Sequence, residues 1–126
     1  MRFLVLIALM SVSGSAFGGL TPHSQRQEEF LIEYAHEISK PLAKWSGENF
    51  RLTEQQLLLA LFSTFATVDV NGELQYENVL GMKETKFMRR AWDACVPFLA
   101  DYINPGAAQM MCKRFTQDSL KRVAKR

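Results

Sequence analysis

Histidine, cysteine and tryptophan occur only twice each in 126 residues, and glycine and proline are sparse at seven and four. The sequence has no Gly-x-Ser-x-Gly, no Cys-x-x-Cys, no His-Glu-x-x-His and no phosphate-cradling glycine loop. It therefore lacks the usual motifs for nucleophilic, dithiol, zinc-hydrolytic and nucleotide chemistry. Asn-x-Ser/Thr is absent as well, which removes N-glycosylation. After the N-terminus the longest apolar run is LLLALF at 57–62, far short of the roughly twenty residues that span a bilayer. These absences lead us to expect a protein that is not an enzyme and holds no cofactor.

The N-terminus is different. MRFLVLIALMSVSGSAFGG places Arg2 before an apolar run from Phe3 to Val12, followed by the small residues Ser13, Gly14, Ser15 and Ala16. That order is the layout of a secretory signal peptide. Cleavage after Ala16 or Gly18 fits the small residues the peptidase reads, with an uncleaved anchor as the alternative. We expect a signal over 1–18 and one helical domain over 19–126, secreted or periplasmic after cleavage. No cysteine precedes Cys95, so a lipoprotein anchor is excluded.

Both cysteines, Cys95 and Cys112, fall in the exported part, where the compartment is oxidising, and a single disulfide is the expectation. The turn signal Asn104-Pro105-Gly106 lies between them. At about 1.5 Å per residue, Cys95 is roughly 12 Å and Cys112 roughly 8 Å from that turn. A helical hairpin with a slightly uneven turn brings those levels together.

Helical periodicity covers most of the rest. A first helix after Pro22 carries Phe30, Leu31, Tyr34, Ala35, Ile38, Leu42 and Trp45; Pro41 is expected to break or kink it and Gly47 to end it. Thr53-Glu54-Gln55-Gln56 matches a capping box for a second helix. That helix is apolar almost all round, as a central core helix or a partner-facing one would be. A third carries Phe87, Ala91, Ala94 or Cys95, Phe98 and Tyr102, widened by Met88, Trp92 and Leu99, with Pro97 as a kink or a first-turn proline. A fourth, from about Ala107 to Val123, is expected to bury Met110, Met111, Phe115 and Leu120. The fold class predicted is all-α: about four helices, a disulfide-clamped C-terminal hairpin, and a short β-hairpin or a tight turn around Asn71-Gly72.

Charge is divided between the halves. Residues 19–82 carry four basic and nine acidic side chains; residues 83–126 carry ten basic and four acidic. The last fourteen residues hold six basic groups, Lys113, Arg114, Lys121, Arg122, Lys125 and Arg126, against one acid. A solvated helix end is one account of them. Contact with an acidic protein or an anionic membrane surface is the other. Nucleic acid is not expected in an exported protein whose tail lacks interleaved aromatics.

NGELQYEN at 71–78 resembles the second half of an EF-hand loop, with Gly72 as the turn glycine and Leu74 as the apolar position. The resemblance implies Asp69, Asn71 and Glu77 as calcium ligands. It departs from the pattern at both ends, with Thr67 at the first ligand position and Asn78 where a bidentate Glu belongs. The pair Glu33 and His36 has the spacing of a di-iron half-motif but occurs once only. In general layout the chain is similar to small periplasmic inhibitors and immunity proteins. We therefore expect a binding protein of inhibitor or immunity type. The alternatives are an envelope or secretion-machinery factor using the basic tail, and a degenerate calcium module.

Overall fold

The computed structural model describes residues 22–124. The expected signal over 1–18 and the terminal Lys125 and Arg126 lie outside them. Within that range the elements are α1 (Pro22–Ser46), α2 (Phe50–Phe65), β1 (Ala66–Val68), β2 (Leu74–Tyr76), α3 (Glu84–Leu99) and α4 (Pro105–Ala124). Each helix packs on the next in sequence, and α4 returns to α1, which closes the ring. This is the all-α bundle anticipated from periodicity. No helix among the described residues is long and apolar enough to cross a membrane.

The ends of the helices follow from local chemistry. Gly47, at φ +74°, closes α1 and donates its N–H to the Ala43 carbonyl at 2.9 Å, a left-handed stop that any Cβ would strain. Helix α2 starts earlier than its capping-box motif suggested. Asn49 is the N-cap, its side-chain oxygen accepting from the Arg51 and Leu52 amides, while Thr53 sits inside the first turn, buried, and donates to the Asn49 carbonyl. Asparagine ranks above threonine as a cap, and the earlier start adds a turn of helix. Asn104-Pro105-Gly106 likewise opens α4: Asn104 accepts from the Ala107 amide, with Pro105 at the first helical position.

Neither internal proline ends its helix. Pro41 lies within the continuous α1, between buried Ile38 and buried Leu42. The tertiary burial on either side outweighs the lost backbone bond. Pro97 falls in the last turn of α3.

Phe87 joins three helices. Its ring stacks on Phe65 of α2 at 5.2 Å and meets Tyr34 and Phe30 of α1 edge-on at 5.0 and 5.4 Å. Around it Leu31, Ile38, Leu42, Leu57, Leu61, Ala91, Leu99 and Ala108 complete one continuous core. Two expectations about that core fail. Helix α2 is not buried all round: Leu57, Leu61 and Phe65 face inward, whereas Leu59 and Leu52 are exposed. In α4 the buried positions are Ala108, Cys112, Thr116, Ser119, Leu120 and Val123. Met110 is 76 % exposed, and Met111 and Phe115 only flank the core. Toward the disulfide the inward positions of α4 are the smaller Ala108, Cys112, Thr116 and Ser119, and Met111 and Phe115 lie beside them.

The disulfide is present. Cys95 of α3 and Cys112 of α4 are both fully buried and bonded, with Cα atoms 5.8 Å apart. The β-hairpin is present too, in antiparallel register with Ala66 opposite Tyr76 and Val68 opposite Leu74. Its turn is not the two-residue type suggested by Asn71-Gly72. Asp69 and Glu73 pair across a three-residue loop, and Gly72 occupies the left-handed position at φ +79°. The ribbon is held to α1 by the Tyr76 hydroxyl, which donates to Glu28, and the following loop by the Leu80 amide, which donates to buried Gln27.

Candidate docking face on the α3–α4 hairpin

Helical spacing places Thr85, Met88, Arg89 and Trp92 on one face of α3, and Lys113, Thr116 and Gln117 on the facing side of α4. Together they line a shallow groove of about 230 Å³. Its floor is largely apolar because Met88 and Trp92 lie against the core as half-buried residues. The Trp92 indole N–H donates to the Gln109 carbonyl at 3.0 Å, which fixes the ring to α4. Arg89 lies over that ring, 5.7 Å from its centroid. Across the groove Lys113 is exposed, and neither cation has an ion-pair partner among the described residues. The groove is one turn from the disulfide: Trp92 precedes Cys95 by three residues, and Thr116 follows Cys112 by four. The crosslink therefore sets the spacing of the two walls.

The other basic residues singled out from the sequence divide into two groups. Arg122 turns inward: its Nε donates to Glu37 of α1 at 3.0 Å and its terminal nitrogen to Ser119. Glu37 is only 2 % exposed and also meets Lys40 at 3.3 Å. Arg122 thus ties α4 to α1. Lys113 and Lys121 are exposed, about two helical turns apart, and of the two only Lys113 lines the groove; Arg114 is exposed beside Asp118 at 4.0 Å. Removing Arg122 leaves the buried Glu37 carboxylate without its α4 partner. Because Arg122 itself is half-exposed, Arg122→Ala is expected to cost about 2 kcal/mol, below the roughly 3–5 typical of a pair buried on both sides. Replacing both Arg122 and Glu37 by leucine is expected to recover most of that loss, with urea melts of the two variants as the check.

The residues of the calcium reading are engaged in other ways. The amides of Glu73 and Asn71 donate to one Asp69 carboxylate oxygen, each at 2.9 Å, and hold that carboxyl below its ordinary pKa. Glu77 forms an ion pair with Arg90, whose guanidinium also lies over Phe65. Asn71 is exposed at the loop tip. Among the described residues, no three His, Cys, Asp or Glu side chains converge on a metal-sized site. His36 bonds Glu54 across α1 and α2 at 2.7 Å.

Behind the groove, Tyr34 and Thr116 bring two buried hydroxyls close together, and neither makes a well-formed hydrogen bond among the described residues. Burial pushes the Tyr34 phenol well above its ordinary pKa, with the neighbouring Thr116 hydroxyl only partly offsetting it. Neither pattern nor spacing in the sequence signals this pair. Thr116→Val removes an unpaired hydroxyl at nearly constant shape, and is expected to leave stability unchanged or raise it by about 0.5–1 kcal/mol. A loss of more than that in thermal denaturation would show that the hydroxyl pair is bonded in solution.

Compared with family models, curated proteins and solved structures, the chain matches none.

Proposed function

We propose that this is an exported, non-enzymatic binding protein that docks an acidic protein partner on the α3–α4 face, with inhibition or immunity as the most specific form of that role. The observation that supports it is the groove between α3 and α4, which has an apolar floor and is lined by Arg89 and Lys113, two cations with no ion pair among the described residues. Cations of this kind are available to steer an acidic partner and fix its register. A half-buried tryptophan–methionine floor supplies the apolar contact that steering alone does not. The rival reading, an envelope factor whose basic end lies on anionic lipid, loses one of its cations, since Arg122 is already bound to Glu37.

The test is retention from periplasmic extract on the immobilised mature chain, beside the same chain carrying Arg89→Glu and Lys113→Glu. A protein held by the native chain, released by about 0.5 M salt through screening, and not held by the charge-reversed chain supports the reading. Retention of the same proteins by both chains overturns it.

A further inference from the structure

We infer that the α3–α4 groove is a single-side-chain anchor site for an extended acidic peptide: it takes one aromatic or branched aliphatic side chain flanked on both sides by carboxylates. This rests on the proposal that the face docks an acidic protein, and it specifies what that partner presents. Three features lead to it.

The first is size. At about 230 Å³ and open to solvent, the groove is smaller than the roughly 300–1,000 Å³ of sites that enclose a cofactor or drug-sized molecule. One anchoring side chain is the appropriate occupant, in the way interface hot spots fill shallow pockets.

The second is charge placement. Arg89 lines the groove from α3 and Lys113 from α4, together with Trp92 and Met88. Carboxylates on either side of an anchor residue can each meet one of the two cations, while the anchor packs against Trp92 and Met88. A basic or uncharged peptide with the same anchor would face two uncompensated cations.

The third is preorganisation. Trp92 is fixed by its bond to the Gln109 carbonyl, and the Cys95–Cys112 bond lies one turn away. The walls are therefore set before a partner arrives, which lowers the ordering cost of binding. Reduction of the disulfide should loosen the groove before it affects the opposite side of the bundle.

The molecule supplies its own reporter. Trp45 is 54 % exposed at the end of α1, and Trp92 is the other tryptophan. In a full-length mature chain carrying Trp45→Phe, fluorescence excited selectively at tryptophan, beyond the absorption of the tyrosines, reports on Trp92 alone. The probes are three synthetic peptides of equal length: Glu-Glu-Phe-Glu-Glu, Glu-Glu-Ala-Glu-Glu and Lys-Lys-Phe-Lys-Lys, with vesicles of anionic phospholipid as a separate arm. Saturable change of the Trp92 emission is expected with the first peptide, with at least tenfold weaker binding of the second and no binding of the third. Arg89→Glu with Lys113→Glu should abolish the response at an unchanged melting temperature, and reducing agent should weaken it severalfold.

Equal binding of the alanine and phenylalanine peptides overturns the anchor. So does a Trp92 response to vesicles alone, which would assign the groove to lipid, or self-association of the chain abolished by the same two substitutions, which would assign it to a second copy. If the peptides fail while charge-dependent retention from extract persists, the docking face stands and the anchor site falls.

Discussion

Phe87→Ala is expected to lower stability by about 4 kcal/mol, the upper range for deleting a buried aromatic ring. Phe87 is 2 % exposed and is the residue at which rings from α1, α2 and α3 meet. Truncation removes the transfer energy of the ring together with three aromatic contacts. It also leaves a void whose walls belong to different helices, each held in place from its other side: α1 by Arg122 and Glu37, α3 by the disulfide. Such a void cannot collapse cheaply. Small domains hold only about 5–15 kcal/mol in total, so the variant should melt roughly 15–30 °C lower. Phe87→Leu keeps much of the volume and is expected to cost about 1–2 kcal/mol. Urea denaturation of the two variants separates the cases: a shifted midpoint at constant slope reports lost packing, whereas a melt like the native one would remove Phe87 from the centre of the core.

Loss of the Cys95–Cys112 bond is the second large effect. The residues are 17 apart in sequence, and closing a loop of that length restricts the unfolded chain by about 3 kcal/mol. Reduction of the native chain should therefore lower the melting temperature by about 12–20 °C. The Cys95→Ala, Cys112→Ala double variant should fall somewhat further, because both sulfurs are fully buried and their removal leaves space between α3 and α4. The denaturant slope is informative here. An unfolded state freed of its crosslink exposes more surface, so the slope should rise on reduction. Equal melting with and without reductant would mean that the hairpin is held by packing alone.

Much of this architecture was legible in the sequence, and the failures share a cause. The stop at Gly47, the turn at Asn104-Pro105-Gly106 ahead of α4, the reversal near Gly72 and the pairing of Cys95 with Cys112 all depend on residues close in sequence or on the simple arithmetic of a helical hairpin. The mistakes concern competition between local signals or the rotation of a helix about its axis. Thr53 lost the cap to Asn49, four residues earlier, because both motifs were available and asparagine is the stronger cap. Pro41 did not interrupt α1 because burial of Ile38 and Leu42 against neighbouring helices decided the matter.

Met110 is apolar and spaced as a buried position would be. It is exposed because Ala108, Cys112 and Thr116 hold the inward-facing positions of α4.

What the amino-acid sequence determined by itself is the inventory: a bundle of about four helices, one crosslink, a turn or ribbon at Asn71-Gly72 and a basic second half. Those properties come from periodicity, capping chemistry and counts, which are local or additive. The tertiary structure alone decided which cations are structural and which are available. Lys113 and Arg122 lie nine residues apart on the same helix, yet one faces solvent at the rim of a groove and the other binds a buried carboxylate on α1, 85 residues away in sequence. No local rule separates them, because the difference is set by how α4 is rotated between α1 and α3, and that rotation is fixed by the whole core at once.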